Sequence, residues 1–134
     1  MKKVELLLDD REYALLKNLN TAKAAVEICK IYFRRQNPSV VFPPSPNKAD
    51  LHVQFPNASG FDIEVKGTGE PGLAWNQLKV SGKPSHDMLK QGMPLFRVCS
   101  IGSRKAIIFI LKYGEDFEMI PEPRWTIRPT KSAR

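Results

Sequence analysis

The chain has 134 residues, enough for one domain with a sizeable core, and its 42% hydrophobic and 26% charged fractions are those of an ordinary globular protein. A formal net charge of +7 favours polyanionic partners, nucleic acid ahead of an anionic membrane surface. Two cysteines exclude a disulfide framework, and the lack of any run of about eighteen apolar residues excludes a membrane-spanning helix. With only a short apolar stretch between Lys3 and Asp9, no signal peptide is predicted, so a reducing, cytoplasmic setting is the expectation.

Residues 4–8 are apolar but brief, and suit either a strand or a lead-in to helix. Asp9 or Asp10 caps a helix over about residues 10–18, with Leu15, Leu16 and Leu19 as its buried side. Asn20 or Thr21 restarts helix, which runs to about Arg35 and is stopped by Asn37-Pro38. Ala22, Ala25, Val26, Ile28, Cys29, Tyr32 and Phe33 form an apolar arc wide enough to pack on a sheet. The four prolines of residues 38–48 make an extended connector.

Asp50 to Phe55 alternates as a strand, with Leu51, Val53 and Phe55 on one face and Asp50, His52 and Gln54 on the other. Turn residues from Pro56 to Gly60 then suit a hairpin into a second alternating strand. There Phe61, Ile63 and Val65 face one way and Asp62, Glu64 and Lys66 the other. Leu73 to Val80 is ambiguous between strand and short helix, and Ser85 caps a short helix through Gln91, with Gly92 as its stop. Leu95 to Ile101 and Ala106 to Tyr113 read as strands, the second nearly all apolar and hence central, followed by a shorter strand at residues 117–120. After Pro121 the chain is a loosely packed tail, residues 122–134, with Trp125 as its anchor. The order predicts a single α/β domain, residues 1–134, with a mixed central β-sheet flanked by helices.

If the two alternating strands pair with their polar faces together, Asp50 comes near Glu64 and Lys66. Mg²⁺ binds oxygen ligands, commonly one or two carboxylates with waters and phosphate oxygens. Asp50 and Glu64 supply the carboxylates, and the Val65 carbonyl is available as a third oxygen. Lys66 lies two residues on, about 6.6 Å along the same face, where an ammonium can orient a nucleophile or stabilise phosphate charge. The plainer alternative is a solvated strand face that happens to carry charge.

An acid, thirteen intervening residues, then Glu64-Val65-Lys66 resembles the core signature of the PD-(D/E)XK nuclease superfamily. Asp50, Glu64, Lys66 and the following Gly67-Thr68 carry the resemblance, which spans about residues 20–112. It implies a restriction-endonuclease-like core like that of Holliday-junction resolvases and VRR-type nucleases. It also implies Mg²⁺-dependent hydrolysis of DNA phosphodiester bonds, with Mn²⁺ as a substitute and 5′-phosphate and 3′-hydroxyl products. Asp50 and Glu64 would bind the metal and Lys66 assist the nucleophile or transition state. Small members are commonly homodimers. Lys48-Ala49 stands where the full signature has a proline.

Gln77, thirteen residues after Glu64, matches a glutamine that relatives use toward water or DNA. Glu27 resembles a first-helix ligand of some relatives, although Lys23 and Lys30 lie at ion-pairing distance along the helix. Asp62 is either a supporting group or solvated, and His52 and His86 lack partners at zinc spacing. Lys79, Lys83, Arg97, Arg104 and Lys105 are candidates for a phosphate track, with Lys79, Arg104 and Lys105 foremost, each having an ordinary surface role as its alternative. Trp75, between Leu73 and Leu78, belongs in the core, with base stacking as the alternative. Two further functions stay open: a non-catalytic nucleic-acid-binding module and a scaffold domain.

Overall fold

The computed structural model of the chain describes residues 1–121 and 129–130. Its elements are β1 (Lys2–Leu7), α1 (Asp10–Leu16), α2 (Thr21–Gln36), β2 (Leu51–Val53), β3 (Phe61–Gly67), a 3-10 turn (Trp75–Gln77), α3 (Lys83–Lys90), β4 (Leu95–Cys99) and β5 (Lys105–Leu111). The strands make one open five-stranded sheet in the order β1-β5-β4-β3-β2. β3 and β4 run parallel, and the other three neighbouring pairs are antiparallel. A parallel pair needs a crossover between its strands, and α3 provides it. Among the described residues the fold is thus mixed α/β, three helices on a mixed sheet. No helix among the described residues is long and apolar enough to cross a membrane.

Local chemistry sets the helix starts. Asp9 accepts from the Glu12 backbone N–H while the Glu12 carboxylate accepts from Asp9 N–H, a reciprocal cap on α1. Asn20 caps α2 through Lys23 N–H at 2.9 Å, and Asn37 closes its end by donating to Phe33 O. The inner face of α2 lays Ala25, Ile28, Cys29 and Phe33 on Ile63, Val65, Phe96, Val98 and Ile108. A smaller cluster of Leu89, Met93, Leu95 and Leu111 closes the other face beneath α3. Strand alternation therefore sends Ile63 and Val65 toward α2, and Glu64 and Lys66 toward α3.

Gly67 ends β3 where α2 comes closest. A Cβ there would lie 2.8 Å from Ala25 Cβ and 3.0 Å from Thr21 O, so only glycine lets the helix N-terminus approach the strand.

Four expectations are corrected. Leu15 and Leu19 are exposed (69% and 37%), because two-turn α1 reaches the core through Tyr13 and Leu16 instead. Residues 117–120 form no strand but a single bridge, Tyr113 to Phe117, after Gly114 turns the chain back on itself. Ser85 is not a cap: α3 begins at Lys83 behind Gly82, with Pro84 in its first turn, where a missing N–H costs nothing. Leu73 to Val80 holds only a brief 3-10 turn, which leaves Trp75 half exposed and outside the core. Cys29 and Cys99 are buried free thiols, and burial pushes both thiol pKa values up. Trp125 and residues 122–128 and 131–134 of the expected tail lie outside the described residues.

Candidate active site

The hairpin register decides the geometry. Leu51 pairs with Ile63 and His52 with Asp62, so one step further Asp50 stands opposite Glu64. The Asp50 carboxyl is near enough to Glu64 to raise its pKa. Val65 N–H donates to Asp50 Oδ2 at 2.8 Å, and the Val65 carbonyl shares that strand edge. Lys66 Nζ lies 3.5 Å from Glu64 Oε1. Ser85, from α3, lies near the same Glu64 carboxyl and acts to lower its pKa. Asp50, Glu64 and Lys66 are therefore brought together, and Ser85 joins them.

Glu64 is 4% exposed. Burial, and next the Asp50 carboxyl, push its pKa above the usual carboxylate range, while Lys66 and Ser85 pull less strongly the other way. Two carboxyls this close to one another favour a proton or a cation between them over two bare charges. Their oxygens suit a hard divalent ion, which needs no third protein carboxylate when water and phosphate complete its shell. Among the described residues no group of three or more His, Cys, Asp and Glu side chains gathers as a metal cluster.

Asp62 and His52 sit one pair further along the hairpin and serve as supports. His52 Nδ1 is 2.7 Å from Asp62 Oδ1, and Asn47 Nδ2 donates to Asp62 Oδ2 at 3.2 Å. Burial raises the Asp62 pKa, but hydrogen bonds from His52, Ser45 and Asn47 together outweigh it, for a net lowering. Ser45 Oγ in turn accepts from Asn47 and Ala49 N–H, so Asp62 braces the connector that delivers Asp50. Gly60 leaves room for the His52 ring, whose Nε2 would lie 2.3 Å from any Cβ there.

Thr68 Oγ1 donates to Gln77 Oε1 at 2.9 Å, which places Gln77 beside the residue one same-face step past Lys66, with its amide NH₂ still able to donate. Lys79 lies with Lys66 along a cleft of about 550 Å³. Arg97 is no part of a phosphate track. It is 2% exposed, and its guanidinium donates to the carbonyls of Leu73 (2.8 Å), Gly67 (3.2 Å) and Ala74 (3.4 Å). Burial lowers its pKa. Its work is to pin the loop after β3.

Arg104 and Lys105 lie at the β1–β5 side of the sheet. Arg104 pairs with Asp10 and covers the Tyr13 ring, and Lys105 Nζ is 3.0 Å from Glu5. Lys83 pairs with Asp87, to which His86 also bonds. Glu27 pairs with Lys30 at 3.3 Å in the outer groove between α1 and α2, while α2 packs on the sheet face opposite Glu64, so Glu27 does not join the acids. Sequence patterning had no means of finding Ser85 near Glu64, since that placement depends on α3 starting three residues earlier than a Ser85 cap allows.

Comparisons with family models, curated proteins and solved structures find no match in any of the three.

Proposed function

We propose that the protein is a Mg²⁺-dependent nuclease that hydrolyses DNA phosphodiester bonds on a restriction-endonuclease-like core. The observation that carries this reading is Asp50 opposite buried Glu64 in the hairpin register, with Lys66 Nζ 3.5 Å from Glu64. The order α2, β2–β3 hairpin, α3 and a parallel β4 supports the same core. A net charge of +7 suits a nucleic-acid substrate.

Asp50 and Glu64 would hold the ion, with Mn²⁺ accepted in its place. When bound, Mg²⁺ supplies Lewis-acid chemistry, neutralising phosphate charge and making a water more acidic. Lys66 places an ammonium where the phosphate gains negative charge, or orients the attacking water. Lys66 holds the Glu64 carboxyl, Val65 N–H holds that of Asp50, and Asp62 fixes the approach to Asp50. Gln77, held by Thr68, is positioned to donate to water or substrate beyond Lys66. Lys79 lines the same cleft as Lys66, whereas Arg104 and Lys105 lie near the opposite sheet edge.

Supercoiled, linear and branched DNA incubated with Mg²⁺ or Mn²⁺ test the proposal. Metal-dependent cleavage is expected, falling at least about 100-fold in Glu64→Ala and Lys66→Ala. Salt-sensitive binding with no cleavage of any substrate makes the protein a non-catalytic nucleic-acid-binding module. No binding at all sinks both. The homodimer implied by the resemblance is checked by sedimentation of the same preparation.

A further inference from the structure

Beside Lys66 lies the cleft of about 550 Å³, whose lining includes Trp75, Leu78, Lys79, Val80 and Phe117. Its volume falls in the range of roughly 300–1,000 Å³ typical of small-ligand sites. Trp75 is 49% exposed, although a tryptophan between two leucines normally completes a core. The turn that presents it is firmly held. Arg97 grips the Leu73 and Ala74 carbonyls, and Ala74 adopts a left-handed conformation (φ 48°) that costs a non-glycine residue energy. Gln77 and Leu78 N–H close the turn onto Ala74 O and Trp75 O, and Thr68 ties it to the end of β3. A backbone held this firmly presents an open indole to a flat partner.

We propose that this cleft receives an unstacked nucleobase next to the phosphate being cleaved, so that the substrate class is single-stranded or frayed DNA, such as an overhang, flap or branch. The proposal rests on reading Asp50, Glu64 and Lys66 as a nuclease site. Trp75 offers a π face, Leu78 and Val80 apolar walls, and Lys66 an ammonium group for the flanking phosphate. A base inside a closed duplex has both faces covered by its neighbours and cannot reach the indole without leaving the stack. Substrates whose bases are already free avoid that cost and bind in preference.

The full chain is mixed, in Ca²⁺ or EDTA to suppress cleavage, with single-stranded, 3′- and 5′-overhang and blunt duplex oligonucleotides. Each carries 2-aminopurine at successive positions. Anisotropy gives the affinities, and 2-aminopurine emission reports stacking on the indole. The wild type is expected to quench 2-aminopurine at one position and to prefer single-stranded ends. Trp75→Ala is expected to cut that preference about 5- to 150-fold, the factor equivalent to losing one base–aromatic stack, while Trp75→Phe keeps most of it. Equal affinity for blunt and single-stranded DNA, or no 2-aminopurine response with metal-dependent cleavage intact, overturns the base site and leaves the nuclease standing. No binding to any oligonucleotide overturns both.

Discussion

Replacing Glu64 by glutamine removes one of two carboxyls that face each other across the hairpin while keeping the side-chain shape. Two unit charges about 4 Å apart at an effective dielectric constant near 20 repel by about 4 kcal/mol. On that scale Lys66, 3.5 Å from Glu64 Oε1, attracts by about 5 kcal/mol, but its side chain is 30% exposed and solvent screens much of this. Adding the burial of Glu64 leaves a net cost of about 1–3 kcal/mol for the ionised, metal-free site. The sign follows from linkage. Glu64 has a folded pKa above its ordinary 4.5, so the folded state binds more protons in that window and stability falls as pH rises through it. Urea unfolding in EDTA should therefore find Glu64→Gln about 1–3 kcal/mol more stable than the wild type at pH 8, with the gap closing toward pH 5. Mg²⁺ at ten times its dissociation constant should stabilise the wild type by about 1.4 kcal/mol and the variant far less. A variant less stable than wild type at pH 8 in EDTA, or a wild type whose stability is flat from pH 5 to 8, refutes the crowding of the two carboxyls.

Arg97→Met removes three charge-assisted hydrogen bonds to carbonyls and should lower stability by about 2–4 kcal/mol in urea unfolding; a loss under about 0.5 would show that the loop holds itself. Gly67→Ala drives a methyl against Ala25 and Thr21 and should cost about 1–3 kcal/mol, read as a lower thermal midpoint. Leu15→Lys should change stability by no more than about 0.5 kcal/mol, whereas Leu89→Ala should cost about 2–5 kcal/mol; similar losses at both sites would contradict the exposure of α1.

Much of the site was legible because strand alternation is local. Asp50, His52 and Gln54 share a face by period two, as do Asp62, Glu64 and Lys66, and pairing had only to superpose the two faces. Caps were equally readable, since Asp9 and Asn20 act on N–H groups three residues away. Arg97 and Ser85 were misjudged for the opposite reason. Arg97 meets carbonyls 23 to 30 residues distant, and Ser85 meets a glutamate on another element, so neither partner leaves a trace in the neighbouring sequence. Leu15 and Leu19 misled because hydrophobicity says that a residue prefers burial, not that a neighbour is there to bury it.

The sequence by itself determined the alternating strands, the caps, the apolar arc of α2 and the acids and lysine sharing one polar face, because each depends on spacing within a few residues. Tertiary structure alone decided that β4 lies parallel to β3, that Arg97 is buried and Trp75 left open, and that α3 carries Ser85 to Glu64. Those outcomes depend on which distant segments compete for the same space beside β3, and packing resolves that competition only when the whole chain is folded.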